Sequence, residues 1–431
     1  MKRFWETLYR FVALPFFWLL IQTVGLVNKK TKRGIRGRDT LFESLERQVA
    51  HLGQGPRVWF HSSSMGEFEQ AKPIIAELKA RHPEVRIIVS FFSPSGYEHS
   101  RKYRLADVIT YIPFDTRVAA RRFLDLIHPT VAVMVRYDIW PNHIWELHTR
   151  GIPVLIANAT MREWTRRRLP LVRSFHHYVY NDIDEILTVA PSDAAAFRIF
   201  SLDHPVIGVI GDTRYDQVSI RSAEARRRHI IPSSIAEGKK VVVIGSSWPE
   251  DEEVVLPAYL RLQAEGDPPL LIVVPHEPTE ERIEELERDL AGETTTIRFS
   301  GLNEYNGEHV VLVDSVGILL VLYANAHLAF VGGSFRQGIH NVLEAAVYGI
   351  PVIFGPRHRN AHEPLMLLER GGGFVVNDEQ ELFRTLLNLL HDDQARNSAG
   401  ERASRFVQSH LGATDRFIEH LERRLPKVEH S

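Results

Sequence analysis

Six short stretches of this chain place polar, charged or small residues where an open α/β sheet could bind and act on a ligand. The first is His61-Ser62-Ser63-Ser64-Met65-Gly66-Glu67. It follows an apolar run and precedes a stretch of helical spacing. Ser62, Ser63, Ser64 and Gly66 let a substrate approach the backbone closely. The helix start offers free N–H groups and the positive dipole end. A carboxylate there, Glu67, could serve as a general base. A Ser/Glu capping box accounts for the same residues without any chemistry. The second is Arg136-Tyr137-Asp138-Ile139-Trp140-Pro141-Asn142, at the end of a buried run, where Arg136, Asp138 and Trp140 stand at the ligand edge of a parallel sheet or form an ordinary strand-to-helix loop. The third is Gly211-Asp212-Thr213-Arg214-Tyr215-Asp216, whose Arg214 could offset phosphate charge; a turn into a linker reads the same way.

Three more fall in the second half. Gly245-Ser246-Ser247-Trp248-Pro249-Glu250-Asp251-Glu252 suits an anion or a sugar hydroxyl at Ser246 and Ser247, or simple Ser capping of an acidic helix. Val274-Pro275-His276-Glu277-Pro278 is a Pro-bounded polar pair without metal-site spacing. The richest is FVGGSFRQGIHNVLEAAVYGIPVIFGP. A strand ends at Gly332-Gly333-Ser334, a loop carries Gly338, and a helix is expected from about His340 through Asn341 to Tyr348. Amides at that helix start could hold a phosphate, and Glu344 in its first turns could accept ribose hydroxyls. A Gly-rich turn with a core helix is the alternative.

The elements that position these residues alternate. Apolar runs at 57–61, 86–92, 130–135, 153–157, 186–189 and 206–210 predict one set of parallel strands with crossover helices. Runs at 240–244, 270–274, 310–313, 328–331 and 351–354 predict a second. Helical spacing covers 68–80 and 280–290. The charged, irregular stretch around 219–239 predicts the boundary. The expected architecture is two Rossmann-like, doubly wound domains with a ligand cleft between them. The domains are expected at 39–218 and 219–431, preceded by an N-terminal segment, 1–38. No G-x-G-x-x-G follows the first strand and no Walker loop occurs, which disfavours a dinucleotide enzyme or an NTPase.

The 431 residues include 52 Lys plus Arg against 54 Asp plus Glu, a formal charge of −2, which argues against a nucleic-acid binder. Cysteine is absent, so disulfides and thiolate chemistry are excluded. Residues Phe11 to Val27 are almost wholly apolar, at the lower limit for a membrane span. Lys29, Lys30, Lys32, Arg33, Arg36 and Arg38 follow, so the positive-inside rule puts the globular body in the cytoplasm, and the cluster would attract anionic lipid. An amphipathic helix packed on the body is the alternative. Arg162, Arg166, Arg167 and Arg168 could meet lipid phosphates or form a solvated loop.

The motifs HSSSMGE, DIWPN, GDTRYD, GSS, VPHEP, DSVG before LYANAHLAFVGGS, and HNVLEAA occur in one order from the N-terminus to about residue 375. In that order the sequence resembles the 3-deoxy-D-manno-oct-2-ulosonic acid (Kdo) transferases that act on lipid A precursors such as lipid IVA. The resemblance implies a GT-B glycosyltransferase of lipopolysaccharide biosynthesis at the inner membrane. It implies CMP-Kdo as donor, a glucosamine hydroxyl of the lipid as acceptor, and inversion at the anomeric carbon with neither metal nor cofactor. Glu67 matches the family's base. Asp138 matches the acid of a Glu-Leu-Trp-Pro motif and Arg214 a Lys, both stabilising transition-state charge. Pro275 and His276, Gly317-Ile318-Leu319, and Asn341-Val342-Leu343-Glu344 match CMP-contacting segments, with Ser246, Ser247, Gly333, Ser334, Gly338 and His340 beside them. Ser62, Ser63, Ser64, Gly66, Arg136, Trp140 and Arg162 fall on the acceptor side. The sequence departs from the family at His276 (usually Arg), Glu277 (usually His), Ile318 (usually Glu), Arg136 (usually an acid) and a shorter loop from Ser334 to His340. Another GT-B enzyme, for a different lipid-linked sugar or a sugar-nucleotide epimerisation, fits the same fold.

Overall fold

The structure, a computed structural model, describes residues 1–161, 165, 167, 169–266 and 268–426. They form two compact units: Met1–Gln217 with Leu411–Ser431, and Val218–His410.

The first unit holds β1 (Arg57–Ser62), β2 (Arg86–Phe91), β3 (Val108–Tyr111), β4 (Val131–Val135), β5 (Val154–Ala159), β6 (Glu185–Thr188) and β7 (Val206–Val209). The second holds β8 (Val241–Ser247), β9 (Leu270–Pro275), β10 (Thr296–Arg298), β11 (Val310–Leu312), β12 (Leu328–Val331), β13 (Val352–Phe354) and β14 (Gly373–Val375). Every pairing is parallel, in the orders β3-β2-β1-β4-β5-β6-β7 and β10-β11-β9-β8-β12-β13-β14. Central strands such as β4 are buried at every position, because helices cover both faces. The strands that hydrophobic runs did not predict are β3, β10 and β14. All three lie at a sheet edge and span three or four residues, too few to show a pattern.

The helix predicted at 68–80 runs from Met65 to Arg81 with Pro73 inside it. The expected helix from His340 to Tyr348 is reduced to one turn, Leu343–Ala346. Asn341 Oδ1 accepts from Leu343 N at 3.1 Å, which holds the chain in a turn just before it. Gly349, at φ +74°, follows the turn that ends it.

The C-terminal helix Ala413–Glu422 belongs to the first unit. Phe417, Ile418 and Leu421 are fully buried in the core formed by β1, β2, β4 and the helix Met65–Arg81. Asp216 accepts from Gly412 N and Thr414 N, each at 2.7 Å, and so caps its start.

The N-terminal segment is helical from Lys2 to Val27, 26 residues long and apolar enough to cross a membrane. A π-helical turn, Tyr9–Ala13, interrupts it just before Pro15, which has no N–H to give. One side lies against the first unit. The Tyr9 hydroxyl donates to the buried Asp115 at 2.7 Å, Arg10 Nε donates to Asn142 at 2.7 Å, and Trp5 Nε1 donates to Ser174 at 3.1 Å. Asp115 also accepts from the amides of Asn142 and His143 and bonds the His143 ring. The other side is bare: Phe11, Phe16, Leu26 and Val27 are 70–86% exposed. The helix therefore combines a packed stripe with an apolar outer face.

Candidate functional site

In a doubly wound sheet the loops after two neighbouring strands diverge where the strand order reverses, and the gap they leave takes the ligand. In the first unit that point lies between β1 and β4. Ser62, Ser63, Ser64, Gly66 and Glu67 follow β1, and Arg136, Asp138 and Trp140 follow β4. Two motifs 70 residues apart in the chain thus meet because of topology.

Glu67 is the third residue of its helix and is 7% exposed. Its Oε2 accepts from both Ser64 N at 2.9 Å and Ser64 Oγ at 3.1 Å, leaving Oε1 outside the capping bonds. Capping and chemistry are therefore compatible. Burial, then the negative charge of Asp138, raises its proton affinity above that of an ordinary glutamate; the two Ser64 bonds and Arg136 act the other way.

Asp138 is pushed in the opposite direction. Burial alone would raise it, but the bond and charge of His61, with bonds from Ser63 and Trp140, hold it below the usual carboxylate range. His61 Nε2 lies 2.8 Å from Asp138 Oδ2, and His61 Nδ1 lies 2.8 Å from Ser90 Oγ. Trp59 Nε1 donates to that Ser90 oxygen at 2.8 Å, and Trp140 Nε1 donates to His61 Nε2 at 3.1 Å, so the imidazole is held on both edges. The outcome is two neighbouring carboxylates with proton affinities pushed apart, the arrangement that separates a base from a charge stabiliser. Arg136 is left-handed, at φ +65°, an uncommon conformation for a long side chain and strained where it occurs at a ligand edge. Its Nε and the Ser62 hydroxyl are buried without hydrogen-bond partners.

Arg214 follows β7, beyond β5 and β6. Its guanidinium lies on Asp212 Oδ2 at 2.7 and 2.9 Å. A β-bulge at Asn158, φ +51°, turns that side chain toward Thr213 and Gln70, one helical turn past Glu67. Thr213 Oγ1 donates to Gln70 O at 2.7 Å. Asn158 therefore ties the start of the Arg214 helix to the Glu67 helix. Arg162, Arg166 and Arg168 lie outside the described residues; Arg167 donates to Tyr180 at 2.9 Å.

In the second unit the order reverses between β8 and β12. Gly245, Ser246 and Ser247 end β8, and Gly332 to His340 follow β12. Ser246 is left-handed, φ +55°, at a bulge against β9. A Cβ on Gly332 would stand 2.4 Å from Ser246 O, so only glycine lets the loops meet. A Cβ on Gly245 would collide with the Tyr323 hydroxyl and touch Leu319. Glu344 acts electrostatically on Tyr323, so Gly317-Ile318-Leu319, the β8 end and Glu344 share one neighbourhood.

Several expected contacts are turned inward. The Ser247 hydroxyl donates to Glu252 at 2.6 Å, and Glu252 pairs with Arg282. Ser334 Oγ accepts from Gly355 N at 2.7 Å and joins the ends of β12 and β13. The side chains of Val342 and Leu343 are buried, which leaves only their backbone to face a ligand. The amides of Gly333 and Phe335 donate to Asp251, those of Gly338 and His340 to Gly333 O and Gly332 O, and that of Ile339 to Arg357 O and Asn360. Those five amides are therefore occupied by the loop and its supports. His276, just past Pro275, stacks between Trp248 at 4.6 Å and His340 at 4.5 Å, and Arg336 lies 4.0 Å over Trp248. Burial, then His276, holds His340 down at about 4, so it is neutral near pH 7 and can accept from Trp248 Nε1 at 3.0 Å.

Sequence reasoning assigned no role to His61, Asn158 or Asp251. His61 and Asp251 stood inside singled-out motifs, but their partners lie 77 and 82 positions away.

Residues 35–217 match the family model described as 3-deoxy-D-manno-octulosonic-acid transferase (kdotransferase). The chain is 28% identical over 416 residues to the 3-deoxy-D-manno-octulosonic acid transferase of Chlamydophila psittaci, with 94% of each covered. It is 26% identical over 431 residues to that of Haemophilus influenzae, with 98% of each covered. MurG of Acinetobacter baumannii shares the fold at a TM-score of 0.51 and 13% identity, covering 86% of this chain and 100% of that one. With two doubly wound parallel sheets in the GT-B arrangement, a family match over residues 35–217 and this similarity along nearly its whole length, the chain is a glycosyltransferase similar to the 3-deoxy-D-manno-octulosonic acid (Kdo) transferases.

Proposed function

We propose that the protein transfers Kdo from CMP-Kdo to a glucosamine hydroxyl of lipid IVA, with inversion and without a metal, at the cytoplasmic face of the inner membrane. The first unit, residues 39–218 in the main, takes the acceptor, and the second, from 219, takes the donor. Glu67 accepts the hydroxyl proton as that oxygen attacks the anomeric carbon of Kdo. The bond from that carbon to the phosphate oxygen breaks, and CMP leaves with the electron pair. Asp138 and Arg214 stabilise the charge that develops. Gly317 to Leu319 and Asn341 to Glu344 receive CMP, and the N-terminal helix with its basic cluster holds the protein on the bilayer.

The observation that carries this reading is the pair Glu67 and Asp138 at the β1/β4 reversal, one carboxylate raised in proton affinity and its neighbour lowered. Purified protein given CMP-Kdo and a tetra-acylated disaccharide acceptor should yield a product heavier by Kdo; folded protein that yields none overturns the proposal. CMP should also raise the melting temperature where equimolar UDP does not. The gain is about 2.7 kcal/mol at one hundred times Kd. A preference for UDP would point to another sugar nucleotide or to epimerisation.

Asp138→Asn gives a further check. Removing the neighbouring negative charge lets Glu67 ionise at lower pH, so the acid limb of kcat/KM should move to lower pH even as the rate falls. An unmoved limb would show that the two carboxylates are not coupled.

A further inference from the structure

A cavity of about 480 Å³ lies in the first unit under the N-terminal helix, bounded by the helix Lys29–Arg36 and the loop after β2. Phe17, Ile21, Val24, Ile35, Phe92 and Phe114 make it predominantly apolar. Its volume is in the range of small-molecule sites. Three observations say what would enter it.

The first is position. Phe92 packs against Trp140 with ring centroids 4.8 Å apart, and Phe17 does so at 6.1 Å. Ser93, also in the lining, donates its N–H to Ser63 O at 2.8 Å. One layer of side chains therefore separates the cavity from the loops that carry Ser63 and Asp138. The second is access. Trp18, Leu20 and Val24 line the cavity and are also 39–48% exposed, so it opens along the bare apolar face of the helix. A hydrocarbon chain could enter there without crossing water. The third is charge. Lys29, Lys30, Lys32 and Arg36 are exposed on the helix Lys29–Arg36, which carries no acid, and Lys30 is also in the lining. Phosphate beside a hydrocarbon chain complements that combination.

We infer that this cavity is a subsite for one acyl chain of the acceptor glycolipid, seating the lipid while its hydroxyl stands at Glu67. The inference rests on the proposed transfer to an acylated disaccharide. It makes the N-terminal helix part of acceptor recognition as well as an anchor.

The cavity can be filled by Ile35→Trp or, independently, Ile21→Trp. Acceptors of graded chain length would be compared at saturating CMP-Kdo. For the wild type, KM should fall as the chain lengthens. In either variant the long-chain KM should rise about tenfold, the loss expected for roughly two buried methylene groups, while the shortest acceptor and the CMP-induced melting shift stay unchanged. A variant that keeps the wild-type chain-length dependence, or loses all acceptors equally, overturns the inference. Direct labelling covers the case of a misfolded variant or an inactive enzyme. A tetra-acylated acceptor with a diazirine in one chain should label wild-type peptides carrying residues 17–24 or 92–94, competed by unlabelled acceptor and not by phosphatidylglycerol. Equal competition by phosphatidylglycerol would assign the cavity to a bilayer lipid, and labelling elsewhere would remove it as a lipid site; either overturns the inference. Labelling as expected without any Kdo transfer sinks the proposed activity and leaves the subsite standing.

Discussion

A Glu67→Gln protein is expected to turn over about 10²–10⁴-fold more slowly than the wild type, with its fold and CMP affinity retained, because a positioned general base contributes that much. Gln is the informative substitution. Its amide oxygen can still accept from Ser64 N and Ser64 Oγ, so the start of the helix Met65–Arg81 keeps its cap. Ala would remove the cap as well and add about 1 kcal/mol of destabilisation. What Gln cannot do is take a proton from the acceptor hydroxyl. The pH dependence gives a second signature. The base works when ionised, and burial together with the Asp138 charge raises its proton affinity. Wild-type activity should therefore fall, on acidification, at a higher pH than for an ordinary glutamate. Glu67→Gln should lack that limb. Turnover within threefold of wild type would assign Glu67 to capping alone.

The reason Glu67 could be singled out, and His61 not, is the range over which each acts. Glu67 announces itself locally: serines, a glycine and a carboxylate at a strand-to-helix junction. The role of His61 depends on Ser90 and Asp138, which reach it only when β1 lies between β2 and β4. The long apolar runs predicted the central strands, because strands covered on both faces have no alternation to hide. The order of those strands, and with it the point where each reverses, is not written in any one segment. The C-terminal helix shows the same limit. Its amphipathic spacing marks a buried face, yet nothing within it says that Phe417 and Leu421 pack in the first unit's core. The one-turn helix at Leu343–Ala346 failed as a prediction for a local reason: the Asn341 turn on one side and Gly349 on the other leave room for a single turn.

Asp251→Ala should be among the most damaging single changes in the second unit, at roughly 3 kcal/mol or more of stability, the scale of leaving three buried amides unpaired. Asp251 is fully buried at the third position of the helix Pro249–Ala264. Its Oδ2 accepts from Trp248 N at 3.0 Å and Gly333 N at 2.6 Å, and its Oδ1 accepts from Phe335 N at 3.1 Å. One carboxylate thus caps the helix after β8 and fixes the Gly-Gly-Ser loop after β12, on either side of the sheet reversal. Alanine leaves three amides without that acceptor, each costing about 1–3 kcal/mol if it stays buried and unpaired. Part of the loss is recovered if the loop moves out to water, but then Gly333 to His340 no longer hold their places. Stability and nucleotide affinity should therefore fall together, CMP binding by at least about tenfold, and Asp251→Asn should be milder because one oxygen remains. Denaturant unfolding with and without CMP measures both. A stability loss with unchanged CMP affinity would remove the Gly332–His340 loop from the nucleotide site, and no loss of either would mean that the three amides find other acceptors.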